Sequence, residues 1–397
     1  MGSNAGADVL VVGGGVIGLS IAWEAASAGM SVSVVDPRPG RGATWAAAGM
    51  LAPVGEANFG EEALTLLNIE AALSWPGFAE ALEAASGRSV AYVAGGTLLV
   101  AVDPSDRAAT DDLLEYRAQL GLTAQRLSSK ECRELEPLLS PGIHGGADLV
   151  GDHQVDNRRL VDALLSACRA TGVELIADEV AEVEVGAGRV LGVTLYQGNR
   201  RPAGTVVVAA GCRSGRIGGI PAPMLPPVRP VKGLTLRLLA PVGAAALHRT
   251  VRGLVHGRNC YLVPRADRTM VVGATVEERG FDLAVLAGPV SDLLDDARRL
   301  VPSLEDYELA ETATGLRPGS PDNAPVVGRT GLDGLLVATG HYRNGILLAP
   351  ITAAEVVRLL RSADPGGHEG PFAAFGPDRF SSAAQRAAAT TSTGADH

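Results

Sequence analysis

The stretch from Asp8 to Asp36 constrains this chain more than any other. Its apolar run, Val9 to Val12, is short and β-branched, the pattern of a buried parallel strand. That run leads directly into Gly13-x-Gly15-x-x-Gly18. The helix that follows carries Ile17, Ile21, Ala25 and Ala28 on one face and closes at Gly29. A second strand, Ser31 to Val35, then delivers the carboxylate of Asp36. Gly13 allows a tight turn, Gly15 lets backbone approach a pyrophosphate, and Gly18 lets the helix lie close to the strand. Free N–H groups and the positive dipole end of that helix suit phosphates. Asp36, roughly twenty residues past the glycines, can accept hydrogen bonds from a ribose hydroxyl. A glycine triplet alone also marks a flexible loop. Here strand, triplet, helix, strand and acid agree, and the expectation is a dinucleotide site.

With 397 residues the chain can form one large or two ordinary domains around an ample core. A hydrophobic share of 46% fits a globular α/β enzyme, and 50 glycines suit tight turns and close cofactor packing. The net charge of -10 argues against a nucleic-acid partner, since phosphate binding needs a basic face. No cationic leader opens the chain and no segment stays apolar long enough to span a bilayer, so the expected location is cytoplasmic, away from membranes. Cys132, Cys168, Cys212 and Cys260 show no metal-ligand spacing; they are expected to be reduced, and no metal site is expected. Residues 1–6 read as a disordered lead-in.

Small residues crowd Ala43-Thr-Trp-Ala-Ala-Ala-Gly-Met-Leu51, either to let backbone press against something flat or simply as an Ala-rich helix start. Helical periodicity predicts helices over 62–85, 106–121, 128–135 (with Ser128 and Glu131 as a capping box), 157–172, 290–300 and 345–361. A pair of strands broken at Gly95-Gly96 is expected within 90–102. Further strands are expected over 173–185, 189–196, 205–209, 234–239, 260–264, 269–274 and 335–339, with 314–327 as loop and turn. Beyond Pro221 strands follow one another without intervening helices, the mark of an antiparallel sheet.

The nucleotide pattern is therefore left near residue 86, resumed near 150, left near 220 and resumed near 312. An NAD dehydrogenase of the usual type would carry further βαβ units directly after Asp36. Three separated pieces point to flavin more than nicotinamide. The expected fold class is α/β with an α+β second domain. A Rossmann-like FAD-binding domain takes residues 1–85, 150–220 and 312–363, and an antiparallel-sheet substrate domain takes 86–149 and 221–311. Residues 364–397 read as a largely disordered tail.

Arg317, in Gly315-Leu-Arg-Pro-Gly319, can grip a small carboxylate with its planar fork or sit as a surface arginine on a turn. Gly340 to Leu347 is a loop entering a helix, whose free N–H groups can face an electron-rich ring that becomes anionic on reduction. The Tyr261 hydroxyl can meet the carboxylate opposite Arg317, or Tyr261 can be a satisfied core residue. His341 and His256 are the other titratable candidates, and no Ser/His/Asp set accompanies them.

With Ala46-Ala-Ala-Gly-Met-Leu51, Cys260-Tyr-Leu-Val-Pro-Arg265, Val271-Val-Gly-Ala-Thr275, Gly315-Leu-Arg-Pro-Gly319 and Gly340-His-Tyr-Arg-Asn-Gly-Ile-Leu-Leu-Ala-Pro350, the chain resembles the D-amino-acid oxidase-like FAD-dependent amine oxidases, and most closely their glycine oxidase branch. The resemblance runs to about residue 361 and departs from the family near His256 and Asn259, at the pocket rim. It implies that Val16 and Ile17 line the diphosphate turn beside Gly13, Gly15 and Gly18, that Asp36 holds the ribose, and that Val180 meets the adenine. It further implies that Ala43, Thr44, Ala48, Gly49, Met50 and Gly211 touch the cofactor. His341, Tyr342, Arg343, Asn344, Gly345, Ile346 and Leu347 wrap the isoalloxazine. Arg317 would bind the substrate carboxylate with Tyr261, with Met50 and Arg343 at the pocket, and no side chain serves as acid or base.

The same resemblance implies non-covalent FAD, since no cysteine lies near the His341 loop. It implies oxidation of glycine, sarcosine or small D-amino acids by oxygen, giving glyoxylate, ammonia and hydrogen peroxide from glycine. A supply of thiamine thiazole precursor and a homotetramer are implied with it. The rivals are a D-amino-acid or N-methyl-glycine oxidase or dehydrogenase, and an FAD-holding module without amine oxidase activity.

Overall fold

Val9, Val11 and Val12 are buried on both faces of their strand, so Ala7–Val12 takes the middle of a parallel sheet. The computed structural model describes residues 6–221, 224, 227–362 and 370–380. In spatial order the sheet's main path runs Val326–Arg329, Leu335–Thr339, Arg200–Val208, Ala7–Val12, Val32–Val35, Glu174–Ile176. Only Val326–Arg329 runs against its neighbour. A hairpin of Val180–Gly186 and Arg189–Leu195 extends from Arg200–Val208. Helices Val16–Ser27, Glu62–Ser86, Asn157–Ala170 and Gly345–Arg361 share a core that includes Ile21, Trp75, Leu164 and Val356. The buried Trp75 donates from Nε1 to Leu347 O (2.9 Å), fixing the start of the last helix.

The second sheet runs Glu308–Gly319, Arg229–Leu239, Thr269–Gly273, Arg258–Pro264, Thr250–Val255, Thr97–Ala101, Gly146–Leu149, Gln125–Leu127. It is antiparallel except where Thr250–Val255 meets Thr97–Ala101 in parallel. Those strands come from distant parts of the chain, so no hairpin dictates their direction. The architecture is thus the expected mixed α/β fold, with a parallel sheet drawn from separated segments and a largely antiparallel second sheet.

Several local expectations are corrected. Residues 314–327 are not loop throughout: Glu308–Gly319 is a twelve-residue strand paired with Arg229–Leu239 along its length, entirely within the second sheet and across the expected boundary at 312. Its glycines and proline look like turn residues, yet Pro318 is tolerated because this is an edge strand. Gly315 serves close approach, since a Cβ there would lie 2.8 Å from Ala46 Cβ. Within 90–102 only Thr97–Ala101 is a strand, and Val93 makes an isolated bridge to Gln154. The span 173–185 splits into two strands in different pairings. Thr250–Val255, interrupted in pattern by Arg252 and Gly253, escapes the alternation rule. In the expected tail, residues 370–380 are placed, with Phe372 and Phe375 buried in the helix-side core. The rest of 364–397, and residues 1–5 of the lead-in, lie outside the described residues.

Candidate active site

The first glycines behave as the sequence demands. A Cβ on Gly13 would lie 2.5 Å from Ala209 O and one on Gly18 1.9 Å from Gly13 O. On Gly15 it would meet only Thr44 Oγ1 at 3.7 Å, leaving the backbone there open to a ligand. The helix Val16–Ser27 has no side-chain cap at Gly15, so its N-terminal dipole and N–H groups face that opening. Val16 N donates to Thr44 Oγ1 (3.1 Å), joining this turn to the small-residue run. The half-buried Asp36 carboxylate accepts from Gly14 N and Arg38 N, both at 2.7 Å, which holds it at the edge of the turn. Val180 is buried at the start of its strand, and Gly211, at φ +55°, opens a 3-10 turn whose first carbonyl accepts from Thr339 Oγ1. This cradle fits the pyrophosphate and ribose of a dinucleotide.

Small side chains in 43–50 leave the backbone bare, and its carbonyls are tied down from outside. Asn157 Nδ2 donates to Thr44 O (2.8 Å) and Trp45 O (3.0 Å), Thr235 Oγ1 to Ala46 O (2.8 Å), and Arg265 to Ala48 O. Gly49, at φ +72°, has no room for a Cβ against Val155 O. Met50 packs with Tyr261 on Ala48, Val263 and Val271. The helix Gly345–Arg361 again lacks a side-chain cap and touches Met50–Leu51. Its leading loop is bound to the Arg317 strand: His341 bridges Gly319, and Tyr342 N donates to Pro318 O (3.0 Å). Burial lowers the His341 imidazole to about 3, and its Nε2 meets Thr352 Oγ1 at 3.1 Å. The His341 imidazole is therefore neutral and anchored within this loop.

Arg317 leans over Gly233, with Nη1 donating to Thr275 O (3.0 Å) and Lys232 O (3.4 Å). Among the described residues no carboxylate pairs with it. Tyr261 lies over Gly273, where a Cβ would stand 2.4 Å from the hydroxyl. Burial pushes the Tyr261 phenol up to about 12, against the opposing pull of the Arg317 cation. Arg317, Tyr261 and Met50 are thus brought to one region.

Arg343 is ion-paired to Glu56 Oε2 (3.0 Å) and Glu61 (3.5 Å), and the other Glu56 oxygen takes Arg252 at 2.7 Å. Burial pushes the Glu56 carboxyl up, but Arg252 and Arg343 outweigh it and hold the carboxyl below its usual range. Asp152 accepts from Val54 N and Gly55 N (2.8 Å each), and burial raises it to about 6. Arg117 donates to Gly55 O (2.9 Å) in the same network. Glu56, Arg252, Asp152, Gly233 and Gly273 escape sequence reading. Glu56 and Arg252 are 196 positions apart, and nothing local to either signals the pairing.

His256 lies outside this region, at a turn with Asp103 and Asp106. Ligand atoms of the three fall within 4.8 Å of one another, but His256 N and Gly257 N donate to Asp106, and Asp103 caps a helix. Cys132, Cys168 and Cys260 are buried free thiols, and Cys212 is half-buried.

A fold that splits its nucleotide sheet among distant segments and sets a cation-bearing antiparallel sheet against it is that of a flavin-dependent oxidoreductase. The family described as DAO, FAD dependent oxidoreductase, matches residues 8–359. The bifunctional protein ThiO/ThiG of Trichormus variabilis is 34% identical over 90% of this chain and 53% of its own length, so the chain spans about half of such relatives. Glycine oxidase of Geobacillus kaustophilus is 34% identical over 92% of this chain and 96% of its own. The crystal structure of that glycine oxidase gives a TM-score of 0.85, at 32% identity, over 94% of this chain and 98% of the other. The crystal structure of iminodiacetate oxidase from Chelativorans sp. BNC1 gives 0.82, at 26% identity, over 93% and 98%. The chain belongs to the DAO family of FAD-dependent oxidoreductases.

Proposed function

We propose that this enzyme oxidatively deaminates glycine, and with it sarcosine or small D-amino acids. Glycine, oxygen and water would give glyoxylate, ammonia and hydrogen peroxide. The observation that carries the reading is Arg317, a half-buried guanidinium held, among the described residues, by carbonyls alone and so open to a carboxylate. FAD, when bound, supplies the two-electron acceptor for C–H oxidation. The chain's own groups orient the substrate: Arg317 takes the carboxylate and the protonated Tyr261 donates a hydrogen bond to it. Met50 and Arg343 bound the pocket. Gly13, Gly15, Val16, Ile17, Gly18, Asp36 and Val180 would hold the nucleotide half of FAD. Ala43, Thr44, Ala48, Gly49, Gly211 and the His341–Leu347 segment would hold its ring. No side chain is needed as a base if the amine binds neutral.

Likeness to a ThiO/ThiG protein supports a supply of product to thiamine thiazole formation. No helix among the described residues is long and apolar enough to cross a membrane. Cytoplasmic location and a homotetramer complete the reading, the latter open to light scattering. The deciding experiment is the visible spectrum of the purified FAD-loaded chain before and after anaerobic glycine, followed by a peroxide assay in air. Bleaching and peroxide support the reading; a flavin that glycine does not reduce sinks it.

A further inference from the structure

Arg252, Arg317 and Arg343 surround the region proposed for substrate, and of these only Arg317 lacks a carboxylate partner among the described residues. Arg252 and Tyr261 are cross-strand partners and Tyr261 pairs in turn with Gly273, so their side chains share the sheet face over which Arg317 leans. Arg343 approaches from the loop tied to the Arg317 strand. Glu56 bridges Arg252 and Arg343, one oxygen to each. Glu61 takes the second side of Arg343, and Asp152 lies beside Arg252 and Arg117. Three carboxylates therefore balance Arg117, Arg252 and Arg343, and Arg317 remains the one uncompensated cation of this group.

We propose that Glu56 is a specificity-determining residue: by occupying Arg252 and Arg343 it limits the pocket to substrates with a single carboxylate. A second carboxylate would meet guanidiniums already neutralised and the negative charge of Glu56 itself, and like charge at a desolvated site discriminates strongly. The inference rests on the reading of Arg317 as the carboxylate seat. Sarcosine and iminodiacetate are the matched probes, since they differ by one carboxylate on the amine substituent.

The test uses the full FAD-loaded chain as wild type, Glu56→Gln and Glu56→Asp. It reads kcat/KM on both amines and, separately, the flavin absorbance change on titration with acetate and with malonate. The wild type is expected to favour sarcosine and acetate. Glu56→Gln should raise the iminodiacetate-to-sarcosine and malonate-to-acetate ratios by about ten-fold or more, and Glu56→Asp should restore wild-type ratios. Should Glu56→Gln fail to hold flavin, Glu61→Gln, which frees only the outer side of Arg343, must move both ratios the same way. Unchanged ratios in a flavin-bound variant, or a wild type indifferent to the second carboxylate, overturn the proposal. If neither amine is oxidised the proposed activity fails, and the malonate-to-acetate ratio still decides the role of Glu56.

Discussion

A Cβ on Gly233 would stand 2.4 Å from both terminal nitrogens of Arg317. The absence of a side chain on one strand is what gives the guanidinium on the next its position. Gly233→Ala should therefore displace Arg317 without disturbing the nucleotide cradle. The expected result is full flavin content with kcat/KM on glycine down about ten- to a thousand-fold, mostly through KM. Wild-type KM in a flavin-loaded Gly233→Ala enzyme would contradict the placement.

Arg317 itself is the sharper test. Its fork is held by Thr275 O and Lys232 O, leaving the other guanidinium nitrogens for a substrate. Losing one partner of a desolvated charged pair costs about 2–5 kcal/mol, so Arg317→Ala should lower kcat/KM tens to thousands of fold. Arg317→Lys keeps the charge but not the planar fork and should recover only part of it. Steady-state kinetics on glycine check both variants, and an unchanged KM in Arg317→Ala removes the carboxylate seat.

What the sequence reveals of this site follows from the range of the interactions. The Val9–Gly18 turn and the helix Gly345–Arg361 are local, and periodicity with glycine spacing reads them nearly to their ends. Glu308–Gly319 is misread because Gly315 and Pro318 have their reasons in other segments: the Ala43–Ala46 helix pressed against one, an open sheet edge beside the other. Glu56 and Arg252 carry no local mark at all, since each acquires its meaning only when two distant segments meet. Gly233 and Gly273 look like ordinary strand glycines until the side chains that lie over them are known.

Burial fixes the protonation of His341 and Tyr261 over the working range. His341 is held near 3 and Tyr261 near 12, so the imidazole stays neutral and the phenol keeps its proton between about pH 6 and 10. Asp152, raised to about 6, titrates at the lower edge of that interval, so a break in kcat/KM above about pH 7 should track the substrate amine and move when glycine is exchanged for an amine of lower pKa. Tyr261→Phe should reduce kcat/KM by about two- to ten-fold, one hydrogen bond's worth, and leave the break where it is. A break that shifts with Tyr261→Phe would assign the phenol an acid–base role.

Glu24 lies half-buried on the first helix, with no cation or hydrogen-bond donor reaching it among the described residues, and burial lifts its carboxyl from 4.5 to about 7. Between those values the folded chain keeps a proton that the unfolded chain has released. Stability is therefore fully present below about pH 4.5 and falls as pH rises through 7. Because the group is partly solvated, the penalty at pH 8 is about 1–2 kcal/mol rather than the full shift. Glu24→Gln removes the titration. Its Tm should match the wild type near pH 5 and exceed it by about 1–4 °C at pH 8. Thermal melts of both proteins at matched scan rate across that range check the sign. Parallel curves would mean that the Glu24 carboxyl is solvated in the fold after all, and that the first helix carries no charge penalty at neutral pH.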